Sequence, residues 1–296
     1  MKSVSNDKIS FYFDKASAPA EWIKSGEEIT FHCQDCYCGQ VLRDGFPFAQ
    51  MDMARNNPVT GPVYVEGAEP GDVLRIKIKR LEIASSGSTC ARKGAGIYDI
   101  EGSHCNRFLI EDGMVRFTED ISFPVRPMIG IVGTAPAGER VSTQHPGPHG
   151  GNMDIKDLGE GATLYLPVEV PGALLSTGDF HAVQGDGETV ICALEMSGSA
   201  TFEVTVLKGR KDIPTPFLVA EGKYITTAAA ESLDACSREA ARKMHRFLIG
   251  HTSLSDLQCG LLLSMQGNLR ISQVVNPLQG CVMEFPVGLA NETFEG

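Results

Sequence analysis

Positive charge is scarce in this sequence. Twenty-six Lys and Arg face 37 Asp and Glu, a formal net charge of −11. Non-specific nucleic-acid binding needs basic surface, and no basic, aromatic-laced strip occurs to supply it. No apolar run is long enough for a membrane helix. The opening residues, Met1-Lys-Ser-Val-Ser-Asn-Asp7, lack the apolar core of a secretory signal. Nine cysteines are scattered without a framework spacing, which fits a reduced, cytoplasmic setting better than a disulfide scaffold. The usual nucleophile signatures are missing too. There is no Gly-x-Ser-x-Gly elbow, no Gly-x-Gly-x-x-Gly opening a helix and no phosphate loop. No Ser-Ser-Lys arrangement surrounds Lys93 or Lys156. A metal-activated water is therefore the default nucleophile for any hydrolysis.

What the sequence does contain is strand-forming pattern. At 296 residues the chain can bury a substantial core. Alternation marks Glu28–His32 and Val73–Ile83 as strands, and Gly61–Gly67 as a strand ending in the turn Ala68-Glu-Pro-Gly-Asp72. Residues 84–103, rich in Ser and Gly, read as a surface loop. Residues 163–170, 189–196 and 200–208 form the most regular β stretch, a spacing that suits a sandwich or barrel. The tail differs. Ala228–Gly250 has helix-favouring composition, and a second helix is expected from Leu254 to Met265, with Ser253 as N-cap and Asp256 at the capping-box position. Strands are expected again at Arg270–Val275 and Gly280–Phe285. The division that follows is a mainly β core over 1–210 and a smaller α/β portion with two helices over 211–296.

Two polar clusters draw the chemistry together. The first is His145-Pro-Gly-Pro-His149-Gly-Gly-Asn-Met-Asp154, and the second is Gly178-Asp179-Phe-His181-Ala-Val-Gln184-Gly-Asp186-Gly-Glu188. A strand-like run, Thr163–Val170, lies between them, so both can reach one point in space. Asp179 and His181 share a face if extended, and mixed O/N donors suit zinc. Gln184 and Asp186 follow in a glycine-flanked turn. Asp154 is a candidate ligand, and His149 a candidate proton shuttle near neutral pH. Gly150 and Gly151 free backbone N–H groups for an anion or oxyanion. The plain alternatives are an acidic turn with a surface His, and a Pro/Gly loop capped by Asn and Asp.

Two further acids matter. Asp35 ends a strand within His32-Cys-Gln-Asp35-Cys36-Tyr-Cys38-Gly39, and as a solvated turn acid it needs no special role. The Cys-x2-Cys-x-Cys spacing there lacks the second pair of a four-thiolate zinc site, so thiolate metal binding is disfavoured. Glu195 sits in the apolar run Val190-Ile-Cys-Ala-Leu-Glu-Met196; if buried, its pKa rises and it becomes a candidate general base.

These stretches resemble the acetamidase/formamidase family. The matching motifs are Asn57-Pro-Val-Thr-Gly-Pro-Val-Tyr-Val-Glu-Gly-Ala-Glu-Pro-Gly-Asp72, Gly147–Asp154, Gly178–Glu188 and Arg270-Ile-Ser-Gln-Val-Val-Asn-Pro277, in the family's order and spanning most of the chain. The resemblance implies a mainly β fold with a jelly-roll or CUB-like core and an α/β C-terminal portion. It implies hydrolysis of a small neutral amide, formamide- or acetamide-like, to carboxylate and ammonia, often in a homodimer with zinc or calcium. Carried over by position, it makes Asp35, Asp154 and His181 the metal set. Gln184, Asp186 and Glu195 line the pocket, with His149 beside it. Glu195 or His149 then moves the proton, and Gly150 and Gly151 face the oxyanion. Cys38 stands where the family often has Ser, and Asn268 where it often has Asp. Two rival readings remain: a non-catalytic β-sandwich binding calcium or a small ligand, against which His181 argues, and a cysteine hydrolase using Cys33, Cys36 or Cys38.

Overall fold

The computed structural model describes residues 2–289 and Phe294. The alternation read from the sequence becomes two large β-sheets packed face to face. In Glu27–Cys33, Ile29, Phe31 and Cys33 are buried while their neighbours are not, the period-2 pattern of a strand with one core face. This strand pairs with Gly198–Leu207, which pairs in turn with the long strand Val73–Ile83. They belong to a nine-stranded sheet among the described residues.

The second sheet is built around Leu175–His181, whose seven residues are all buried. Met128–Gly133 flanks it on one side; Val59–Glu66 and the short strand Glu195–Met196 pair with it as well. Phe31, Ile76 and Phe202 from one sheet share a continuous core with Ile129 and Phe180 from the other. Each such side chain contributes about 1.5–3 kcal/mol by leaving water. Phe180 enters this core, so its neighbours Asp179 and His181 turn toward the opposite face.

The C-terminal portion continues the first sheet. Phe217–Ala220 pairs with Thr163–Pro167, and Lys223–Ala230 and Gln279–Pro286 extend it. Helix α1 (Leu233–His251) lies on these added strands, burying Cys236, Ala240, Met244, Phe247 and Leu248 at helical spacing. Helix α2 (Asp256–Gln266) packs against α1.

Several element boundaries differ from expectation for local reasons. Helix α1 starts at Leu233 rather than Ala228, because Lys223–Ala230 is a strand and Ser232 supplies the N-cap, accepting from the Ala235 N–H. Helix α2 is capped by Ser255 rather than Ser253. The shift of two residues puts Gln258 at the reciprocal position and completes the capping box. The expected loop over 84–103 contains the strand Ser86–Arg92, paired with Ser103–Glu111. Of residues 189–196 only Glu195–Met196 is strand; the apolar run before it covers the site instead. No helix among the described residues is long and apolar enough to cross a membrane.

Candidate active site

Sheet register brings distant acids to one place. His181 ends its strand directly opposite Met128 on one neighbour and Glu195 on the other. Its Nε2 lies 3.1 Å from Glu195 Oε1 and 3.4 Å from Asp179 Oδ1. Asp154 arrives from the Gly150–Asn152 strand, where the backbone N–H of Asp154 donates to the Gly130 carbonyl at 3.2 Å. Glu188 follows the Gly185–Gly187 turn and donates its backbone N–H to the Gly185 carbonyl at 3.2 Å. The side chains of Asp154, Asp179, His181, Glu188 and Glu195 are all buried.

The backbone is bent to deliver them. Asp154, Asp179 and Glu188 have φ of 45°, 59° and 45°, a left-handed conformation that costs a non-glycine residue about 1–3 kcal/mol and persists only where its surroundings enforce it. Gly130 makes the crowding possible. A Cβ there would collide with Asp154 Oδ1 and come within 2.6 Å of Asp179 Oδ2.

A polar shell fixes the imidazole. Gln184 Nε2 donates to the Asp154 carbonyl at 2.8 Å, which turns Gln184 Oε1 toward His181 Nδ1, also at 2.8 Å. The carbonyl can only accept, so Nδ1 must donate and Nε2 faces the carboxylates, the orientation of a metal-bound histidine held by a neighbour. Asn276 Nδ2 donates to Asp154 Oδ2 at 2.6 Å. With its amide nitrogen turned toward the acids, Asn152 donates to Asp154 Oδ2 and Asp179 Oδ2 at 3.1 Å each.

Demand for a cation remains. Asp154 Oδ1, His181 Nε2, Glu188 Oε2 and Glu195 Oε2 are buried without a hydrogen-bond partner. Burial, reinforced by Asp179, raises the Asp154 carboxyl to about 6. Burial, countered by His181 and reinforced by Asp179, raises Glu195 to about 8. Glu188 is pushed well above the carboxylate range by burial and then by Asp154. Burial would lower His181, but Glu195 and Asp179 outweigh it and hold the imidazole well above its ordinary value. Two triads have donor atoms mutually within 4.8 Å: Asp154, His181 and Glu188, and Cys36, Asp179 and Glu195.

Both triads meet a cavity of about 130 Å³, walled by Asp154, Asp179, Glu188, Glu195, Asn152 and Cys36 among others. A larger cavity of about 240 Å³, lined by Phe108, Phe117 and Phe123, lies on the other side of residues 184–194. Its wall is mostly apolar, so the smaller cavity is where polar chemistry converges.

The expected residues divide accordingly. Asp154, His181 and Glu195 come together, and Gln184 orients His181 from behind the cavity. Asp35 joins neither triad. Its Oδ1 accepts from the backbone N–H groups of Tyr37 at 2.9 Å and Gly39 at 3.0 Å, ordering the turn that delivers Cys36. Asp186 is held by Lys156 at 2.6 Å and by Arg270 at 2.5 Å, away from the acid cluster. His149 is buried edge-on against Phe13, with burial lowering it to about 4. Gly150 and Gly151 pair with Gly133 and Val132 in the sheet, where a Cβ on either would strike backbone carbonyls. Neither these glycines nor His149 lines the acid cavity. Glu188, Gly130, Asn152 and Asn276 had no role assigned from the sequence, and Cys36 only that of a rival nucleophile. Glu188 and Asn152 lie inside the two motifs, which was the available signal.

The acetamidase/formamidase family profile matches residues 11–145 and 135–283. The crystal structure of an acetamidase from Bacillus halodurans superposes with a TM-score of 0.95, is 40% identical, and covers 97% of each chain. The acetamidase of Mycolicibacterium smegmatis is 28% identical over 268 residues, 64% of this chain and 64% of its own. The formamidase of Methylophilus methylotrophus is 26% identical over 249 residues, 63% and 61% respectively. The chain thus spans less than two thirds of the length of the curated relatives it matches. Matched along both halves and superposed over nearly its whole length, the chain belongs to the acetamidase/formamidase family.

Proposed function

We propose that this protein hydrolyses short linear amides of the formamide and acetamide class to carboxylate and ammonia, using a divalent metal ion. The observation that carries the reading is four buried carboxylates walling one small cavity, with His181 Nε2 against two of them. Asp154, His181 and Glu188 would hold the ion. The donor set fits: two carboxylates and an imidazole whose far nitrogen is already tied to Gln184. Imidazole favours zinc over calcium, which takes oxygen ligands. A divalent ion held there would polarise an amide carbonyl and bring the pKa of a water toward neutrality.

The chain's own residues do the rest. Glu195, its Oε1 3.1 Å from His181 Nε2, would accept the proton of the attacking water and return it to the leaving nitrogen. Asn152 and Asn276 hold Asp154 in place. The cavity, about 130 Å³, is well below the roughly 300–1,000 Å³ of pockets for drug-sized ligands, which restricts the acyl group to a few atoms. Nine free thiols suit a reducing cytoplasm, and the net charge of −11 disfavours nucleic acid as a partner. A homodimer is the assembly that the family resemblance implies; sedimentation checks it.

Ammonia release from formamide and acetamide tests the reaction. Activity is expected to vanish on chelation and return with zinc. Undiminished turnover in metal-stripped protein would remove the ion from the mechanism. Calcium raising the melting temperature with no amide turned over would favour a ligand-binding module instead.

A further inference from the structure

We propose that the centre holds two metal ions, the second on Cys36, Asp179 and Glu195, so that this chain uses a thiolate-bearing two-metal site. The inference rests on the amidase reading above for its purpose, and on charge and geometry for its existence.

Charge decides between one ion and two. Asp154, Asp179, Glu188 and Glu195 are four carboxylates, each under 9% exposed. No Lys or Arg forms an ion pair with any of them among the described residues; their sole basic contact is His181. Buried, unpaired charge is among the costliest features a fold can carry. With the Cys36 thiolate the site holds five negative charges; one divalent ion would leave three and two would leave one, with Arg92 on the same cavity wall.

Geometry supplies the second position. Cys36 Sγ and one oxygen each of Asp179 and Glu195 lie mutually within 4.8 Å, and all three residues are buried. Glu195 Oε2 has no hydrogen-bond partner, so an unsatisfied acceptor points to a ligand independently of the clustering. Cys36 is aimed there by its own turn. Asp35 caps the turn from within, and the Asn57 N–H donates to the Cys36 carbonyl at 2.7 Å. The two triads abut at His181 Nε2, which touches both Asp179 and Glu195. Both open on the same cavity, so two ions would reach one substrate, one holding the attacking oxygen and the other the carbonyl. A thiolate in the set selects zinc-like ions and excludes calcium from this position. Glu195 Oε2 would face the ion, leaving Oε1, beside His181 Nε2, for the proton.

The test is metal content and spectrum, not turnover. The full chain is stripped with chelator, loaded with cobalt(II), and measured by elemental analysis and ultraviolet absorption. Two equivalents per chain are expected, with a thiolate-to-cobalt charge-transfer band. Cys36→Ser should abolish the band, and Asp179→Asn should reduce the content to one equivalent. One equivalent without the band in the unmodified chain overturns the second position and leaves the amidase reading standing. A band that survives in Cys36→Ser overturns the assignment of the thiolate. Amide turnover with no bound metal overturns both. The unmodified chain's own spectrum decides the matter even if a variant fails to fold.

Discussion

His181 and Glu195 face each other across two antiparallel strands, with Nε2 3.1 Å from Oε1. The strand Glu195–Met196 is only two residues long, and it exists at the point where this acid must meet this imidazole.

Glu195→Gln keeps the side chain's shape and removes its capacity to take a proton. The expected result is a fall in kcat of about 10²–10⁴-fold for formamide, the usual weight of general-base catalysis. Steady-state ammonia release measures it. A loss under about tenfold would move the proton-transfer role to another residue.

Gly130→Ala places a methyl group among the oxygens of Asp154 and Asp179. Those carboxylates must separate, so metal content and turnover should fall together. Overpacking of this kind costs about 1–3 kcal/mol. Urea unfolding and elemental analysis report the two effects. Native metal content in the variant would show that the acids have room to spare.

The pH dependence of stability should carry a histidine component. His149 is held at about 4 in the folded chain, below its ordinary value of 6.5, because burial disfavours its charged form. Above pH 6.5 both states are neutral there, and the folded chain bears no penalty. As pH falls below 6.5 the unfolded chain protonates first and stability drains, levelling below the folded value at about 3 kcal/mol. His149→Gln removes this component. Urea midpoints at pH 7 and pH 5 should fall further apart in the parent than in the variant. Equal shifts would place the acid sensitivity elsewhere.

Arg270 serves the frame of the site. Its guanidinium pairs with Asp157, Asp186 and Glu284, and Asp157 and Glu284 are almost fully buried. Arg270→Met removes the nearer cation from both, leaving Arg126 4.0 Å from Asp157 and Lys223 3.5 Å from Glu284, and should cost up to about 3–5 kcal/mol. Asp186→Asn, altering only the more exposed partner, should lower stability less and leave KM unchanged. A raised KM in Asp186→Asn would return this acid to the substrate.

Part of this site was legible in the sequence. Asp154, His181 and Glu195 stood out because polar residues among glycines, or inside an apolar run, need a reason. Cys36 stood out as a rival nucleophile but not as a ligand, since its spacing to Cys33 and Cys38 lacks the second pair of a four-thiolate site, and its partners lie more than a hundred residues away. Gly130 was silent as well. In Met-Ile-Gly-Ile-Val-Gly it looks like packing, and its role depends on two acids that only sheet pairing brings near. The segment 189–196 misled for a related reason. Its apolar residues serve as a wall between two cavities, and a wall has the composition of a strand without its hydrogen bonds. The mainly β frame was easier to read, because alternation along Glu27–Cys33 and Val73–Ile83 is a local signal.

The way the last eighty residues extend the first sheet has a consequence for how the chain is made. Thr163–Pro167 waits for Phe217–Ala220, and Lys223–Ala230 waits for Gln279–Pro286. Everything up to about Pro286 must leave the ribosome before that sheet can close. Until then an unpaired strand edge lies open to other nascent chains. A gene fragment stopped near residue 210 would keep that edge for good, so the product to expect from it is an aggregate and not a smaller enzyme.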